Sequence, residues 1–199
     1  MPLGKGELFL KLECMQVTGS FKARGATNKF LTMPKEAVRN GIVTASGGNH
    51  GIAVARAATM AGVPATVFVP EAVTEEKIAR LRQWGAKVVR RGEIWNDSNA
   101  LALNYAKERN CAYFHPFADP AVVAGQGTTA LEFLEDAPIP DVMVVAIGGG
   151  GLISGMSIAL KALHPNVRII GVEPTGSPTL KASLDAGRVV KLPEVTSRV

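Results

Sequence analysis

"IVTASGGNHGIAVARAATMAGVPATVFVP" (42–70) and "MVVAIGGGGLISGMSIALKALHPNVRIIGVEP" (143–174) share one layout. Each opens on a short apolar run, passes through a glycine-rich turn into a stretch of helical composition, and closes on a second apolar run ended by proline. A parallel strand pair needs a crossover of this kind, so each stretch predicts a βαβ unit whose glycines open the helix. Two such units, about a hundred residues apart, predict an α/β fold of two doubly wound parallel-sheet lobes with a ligand cleft between them.

Outward from these units the alternation continues. "ELFLKLECM" (7–15) sets Leu8, Leu10 and Leu12 against Phe9, Lys11 and Glu13, which predicts a strand with two unlike faces. Ser20 is placed to cap a helix from Phe21 to Leu31 that stops near Pro34. Further strands are expected at "GIVTAS", "PATVFVP" and "AKVVR", with "GGNHG" as a loop. A helix over 75–84 follows Thr74 as its cap, carries Ile78, Leu81 and Trp84 on one face and stops at Gly85; another covers "NDSNALALNYAKERN". His164, before Pro165, reads as a helix terminator at the surface. No low-complexity tract or flexible linker interrupts the series.

A chain of 199 residues with 47% hydrophobic and 20% charged residues can bury a substantial core. No apolar run approaches the ~20 residues that span a bilayer, and "MPLGKGELFL" lacks the apolar stretch and cleavage site of a signal peptide, so a cytoplasmic location is expected. Cys14 and Cys111 have neither CxxC nor metal-ligand spacing and are expected to be packing residues. The net charge of +5 comes from scattered residues with no basic stripe interleaved with aromatics, which argues against nucleic acid and leaves an anionic small molecule.

The second glycine turn is the stronger chemical signal. The run 142–147 is almost wholly apolar, which predicts a strand buried on both faces, and Gly148, Gly149, Gly150 and Gly151 bring unobstructed amides to the start of the next helix. That arrangement seats an anion, best a phosphate. Gly155 is followed by Met156, unlike the Gly-Lys-Ser/Thr of a triphosphate loop. Glu173 could hold a ribose, but Gly149 and Gly151 lead to Ser154 where a dinucleotide fingerprint has glycine or alanine.

Lys22, in "TGSFKARGATNKF" (18–30), stands at a predicted helix start directly behind Phe21. Alone it would read as a solvated helix lysine, as Lys29 does. A helix N-terminus and partly buried surroundings both disfavour the ammonium form, however, and a neutral amine is a nucleophile.

"TGSFKARGA", "SGGNHG", "AGQGT", "GGGGLISG" and "GVEP", in this order and spread over nearly the whole chain, resemble the fold-type II (tryptophan synthase beta-like) pyridoxal-phosphate enzymes, most closely the threonine/serine dehydratase and serine racemase group. The resemblance implies that pyridoxal 5'-phosphate is held in a Schiff base by Lys22, with Phe21 beside it. It implies further that Asn49 meets the ring hydroxyl and that Gly148 to Gly151 with Leu152 hold the phosphate. Ser46, Gly47 and His50 would then cradle the substrate carboxylate, and His115 and Gln126 would line the substrate side. The implied reaction is β-elimination from L-threonine or L-serine, giving 2-oxobutanoate or pyruvate and ammonia. A serine racemase, a threonine synthase, a dehydratase of another hydroxy amino acid, or a cofactor-binding fragment without turnover are the alternatives.

Three departures qualify the resemblance. Serine racemases carry a second acid/base serine where this chain has Gly47, so racemisation should be poor. Some relatives bind a divalent cation through a glutamate matching Glu173 and an aspartate where this chain has Thr179, so no metal is predicted. Family members are also considerably longer, which implies a larger lobe of 1–40 and 119–199, incomplete at both ends, around a smaller lobe of 41–118. A homo-oligomer, dimer or tetramer, is expected.

Overall fold

A computed structural model describes residues 6–192 and 195–197. Its elements follow the alternation of apolar runs and amphipathic stretches: α1 (Lys22–Thr32), α2 (Lys35–Val38), β1 (Ile42–Ala45), α3 (Asn49–Ala61), β2 (Ala65–Val69), α4 (Glu75–Gln83), β3 (Lys87–Arg90), α5 (Trp95–Arg109), β4 (Ala112–Tyr113), α6 (Pro120–Asp136), β5 (Val142–Ala146), α7 (Gly151–Leu163), β6 (Arg168–Val172) and α8 (Thr179–Asp185). Both glycine-bearing units are parallel βαβ units. β1 pairs with β2, Ile42 opposite Ala65, and β5 pairs with β6, Val142 opposite Arg168. The first sheet has the order β3-β2-β1-β4; the second consists of β5 and β6.

The first sheet is covered on both faces, as period-two side-chain alternation dictates. Ile42, Val67 and Val69 pack with the alanines of α3, while Val43, Ala45 and Phe68 pack with Ala102 and Ala106 of α5. The second sheet departs from expectation. Met143 and Val145 are buried with Phe133, Met156 and Leu160, but Val144 on the other face is 62% exposed. Helices α6 and α7 supply one cover, and an apolar run is buried on both faces only where two layers flank it.

The stretch 7–15 is not a strand. Residues 7–12 run without ladder partners among the described residues, Leu8, Leu10 and Leu12 are exposed, and Glu13–Met15 form a 3-10 turn on which Cys14 is exposed rather than packed. Alternation makes a strand only where a neighbour takes up its backbone groups. Charge fixes this stretch instead: Lys11 reaches Glu132 at 2.5 Å, and Glu13 holds Arg24 at 2.8 Å. Other expectations shift by a residue or a turn. Helix α1 opens at Lys22 with Phe21 in the capping position, and Ser20 Oγ accepts from Lys22 N only at 3.4 Å. Thr74 occupies the capping position of α4 without a side-chain bond. The "GGNHG" turn is half helix, since α3 begins at Asn49.

Helix α6 organises the interior, and its local signals explain its start: Asp119 accepts from Ala121 N at 2.9 Å and Val122 N at 3.1 Å, with Pro120 at the first helical position. It crosses α1 and α7 through glycines. A methyl group at Gly125 would lie 2.6 Å from Gly25 Cα, and one at Gly155 would lie 2.2 Å from Val123 O. The motif "AGQGT" is therefore first of all a helix crossing.

Candidate active site

Lys22 is the first residue of α1, half-buried, and its Nζ donates to Pro116 O at 2.6 Å. The ammonium lies 5.2 Å from the centroid of the Phe21 ring. Burial pushes the amine down from its ordinary 10.5 to about 8, the direction expected when a cation loses water without gaining an anion. Lys29 behaves oppositely to its sequence reading. It is not solvated: its Nζ pairs with Asp119 and donates to Tyr113 O at 2.9 Å.

Pro116 belongs to a strap, Tyr113–Asp119, that joins the candidate groups. Phe114 O accepts from Thr44 Oγ1 at 2.7 Å and lies 3.1 Å from His50 Nε2. His115 Nδ1 accepts from Phe117 N at 3.2 Å and Ala118 N at 2.8 Å, so its neutral ring carries the proton on Nε2, and burial pushes its pKa down. The Phe117 ring lies against the second glycine turn. A methyl group at Gly149 would meet it at 2.3 Å and one at Gly151 would stand 3.2 Å from Phe117 Cα. The lysine and the glycine turn thus rest on consecutive residues of one strap.

In that turn, Gly150 takes a left-handed backbone (φ 83°) as α7 begins at Gly151. Substituents at Gly148 and Gly150 would point into open space, so these amides approach a ligand unobstructed. Leu152 is half-buried and packs against the core of α6, α7 and β5, which anchors the turn.

At the first turn, Ser46 Oγ accepts from Gly48 N at 3.3 Å. Gly51 lets α3 come down on the Ser46 carbonyl, which would stand 2.1 Å from an added methyl group. A methyl group at Gly47 would lie 2.9 Å from Val73. Asn49 is exposed in the first turn of α3, with no side-chain hydrogen bond among the described residues. His50, in contrast, is 2% exposed, and its Nδ1 has no partner among the described residues. Burial, aided by Lys22, pushes His50 down to about 3. The unfolded chain therefore binds a proton near pH 6.5 that the folded chain refuses, so this stability is intact above pH 6.5 and is lost as pH falls towards 3. His50→Gln should lower the pH dependence of the unfolding free energy in that window by about one proton, measured by urea titration between pH 4 and 7.

Gln126 is 1% exposed on α6, and its amide faces Gly25 one turn beyond Lys22 on α1. Neither amide atom has a partner among the described residues, nor does Thr129 Oγ1 one turn further along. Glu173 is drawn elsewhere: its carboxylate oxygens accept from Leu180 N at 2.7 Å and Lys181 N at 3.0 Å, at the start of α8. His164 ends α7 as expected. The strap itself was not foreseen. Asp119-Pro120 was its legible signal, as a helix start directly after an aromatic pair, Phe114 and Phe117.

Residues 2–199 match the family described as pyridoxal-phosphate dependent enzyme. The chain belongs to that family. Within the pyridoxal-phosphate dependent enzymes it is similar to the fold-type II threonine/serine dehydratase, serine racemase-like group. It is 45% identical over 187 residues to the L-threonine ammonia-lyase of Thermotoga maritima, which covers 94% of this chain and 47% of that protein. Threonine deaminase isoform 2 from Solanum lycopersicum superposes with a TM-score of 0.89 at 36% identity, over 92% of this chain and 51% of that one. Maize serine racemase gives 0.89 at 36% identity, over 92% of this chain and 56% of that one. The chain spans about half the length of the curated relatives it matches. Its residues fit the family's cofactor: a glycine turn whose amides are free of side chains suits a phosphate, and a half-buried amine held near 8 suits an aldehyde.

Proposed function

We propose that this chain forms the cofactor site of a pyridoxal-phosphate-dependent ammonia-lyase that removes the β-hydroxyl and the amino group of L-threonine or L-serine. The observation that carries this reading is the shared strap: Lys22 Nζ rests on Pro116 O, while the adjacent Phe117 backs Gly149 and Gly151. The similarity to an L-threonine ammonia-lyase supports the same substrate class.

Pyridoxal phosphate, when bound, supplies an aldehyde for an amino group and a ring that accommodates the charge left by a departing Cα proton. Lys22 receives that proton at Nζ, and an amine near 8 is neutral often enough at physiological pH to act as a base. The amides of Gly148 to Leu152 would hold its phosphate, and Asn49, whose side chain has no hydrogen bond among the described residues, would meet its ring hydroxyl. Ser46, Gly47 and His50, at the start of α3, orient the substrate carboxylate. The His50 ring stays neutral and serves through Phe114 O, which leaves its backbone for the substrate. His115 closes the substrate side, and Gln126, buried at the crossing of α1 and α6, backs it from behind rather than lining it.

The lobes divide as 41–118, which carries the first sheet, and 1–40 with 119–199, which carries the second. Free thiols at Cys14 and Cys111 suit a reducing cytoplasm, and exposed Val144, Ile170 and Val172 suit a homo-oligomer. A panel of L-threonine, L-serine, D-serine and O-phosphohomoserine decides the reaction. L-threonine and L-serine should each give 2-oxo acid and ammonia in equal amounts. Release of L-threonine from O-phosphohomoserine, or D-serine from L-serine without oxo acid, would replace the proposal by a synthase or a racemase.

A further inference from the structure

Lys29 lies two turns beyond Lys22 on the same side of α1. Its ammonium gathers both ends of the strap: it donates to Tyr113 O at 2.9 Å and pairs with Asp119, while lying 4.9 Å from the Phe114 ring centroid. The pair is shielded, with side-chain exposures of 12% for Lys29 and 17% for Asp119. Asp119 divides its labour, since Oδ2 meets Lys29 and Oδ1 caps α6. Desolvating two charges returns little net stability, and the best-attested use of such a pair is to fix registry. Here the registry is that of a seven-residue loop held otherwise by Thr44, His50 and Lys22 at its carbonyls, by Phe114 N on Val43 O and Tyr113 Oη on Asn99 at its first end, and by the His115 ring within it.

We propose that Lys29 and Asp119 are a positioning pair for Lys22: by clamping Tyr113 and Asp119 they set the strap so that Pro116 O meets the Lys22 amine and Phe117 backs the glycine turn. The proposal rests on the reading of Lys22 as the cofactor lysine and adds the residues that place it. The charged or titratable groups facing the Lys22 amine are His50 from α3 and His115 from the strap, with Lys29 further along α1 and Asp119 beyond it. Burial, not charge, sets the Lys22 amine low. Releasing the strap should hydrate that amine and raise its midpoint.

The test is competitive acetylation of the full, cofactor-free chain between pH 6 and 11, with Lys22 read by peptide mass spectrometry against exposed Lys35. Asp119→Asn keeps the oxygen that caps α6, and Lys29→Met keeps the apolar stem. A positioning role moves the Lys22 midpoint upward in both variants, so that labelling at pH 7.5 falls about threefold or more. Simple charge interaction predicts opposite signs, down in Asp119→Asn and up in Lys29→Met. Opposite signs, an unmoved midpoint, or loss of the fold in both variants by circular dichroism would overturn the proposal. If Lys29→Met alone fails to fold, Asp119→Asn decides. Because no cofactor is present, this result is separable from failure of the Lys22 assignment, which borohydride labelling tests.

Discussion

Lys22→Ala is expected to abolish borohydride-stable attachment of pyridoxal phosphate and to lower 2-oxobutanoate release from L-threonine by roughly 10³-fold or more, with the fold intact. The expectation follows from the amine's surroundings. Lowering its pKa from 10.5 to about 8 raises the neutral fraction at pH 7 roughly 300-fold, which readies Lys22 to attack an aldehyde. Removing the side chain deletes one bond, to Pro116 O, and relieves a desolvated cation, so stability should change little. Lys22→Arg separates the two roles. A guanidinium can still donate to Pro116 O but does not lose its proton, so the variant should fold like the parent and remain equally inert. Capture of the cofactor by the parent should rise with pH through about 8, because only the neutral amine reacts. A label recovered on another lysine, or a Lys22→Ala protein that still traps the cofactor, would remove Lys22 from the centre of the site.

What could be read in advance, and what could not, divides along physical lines. The βαβ units were legible because apolar runs and glycine turns act locally: Ile42–Ala45 and Val142–Ala146 form strands, and the glycines after them open α3 and α7. The partly buried setting of Lys22 at a helix start was legible through its neighbours in sequence. The strap was not, because Tyr113, Phe114 and Pro116 act through carbonyl oxygens that every residue carries, and a sequence does not say which carbonyl is pointed at. For the same reason Lys29 looked like a surface lysine, since its distinguishing features are distant Asp119 and a backbone oxygen. The 7–15 stretch failed differently. Its alternation is real, but a strand is a property of two chains side by side, and among the described residues no second one lies there. Helix α6 was hidden by its own glycines: Gly125 and Gly127 are poor helix formers, and only the helices packed against them make them the right choice.

Those glycines carry the second large effect. Gly155→Ala is expected to destabilise the chain by about 2 kcal/mol, and Gly125→Ala by a similar amount, within the ~1–3 kcal/mol range of overpacked cores. In both cases the added methyl meets atoms that cannot swing aside. At Gly155 it would stand 2.2 Å from Val123 O and 2.6 Å from Gly127 N; at Gly125, 2.6 Å from Gly25 Cα and 2.7 Å from Arg24 O. The gain of up to ~1 kcal/mol from replacing a helical glycine by alanine offsets only part of that strain. Urea midpoints with unchanged slopes would measure it, and Gly148→Ala, whose methyl would meet nothing within 4 Å, is the matched control with an unaltered midpoint. The consequence reaches the site because α6 lies between the helix that begins at Lys22 and the helix that begins at the glycine turn. Relief of either clash moves one of those helix starts relative to the other. Both variants should therefore capture pyridoxal phosphate more weakly than their stability loss alone requires, whereas a destabilised chain with parental cofactor affinity would show that α6 holds the fold without setting the distance between amine and anion seat.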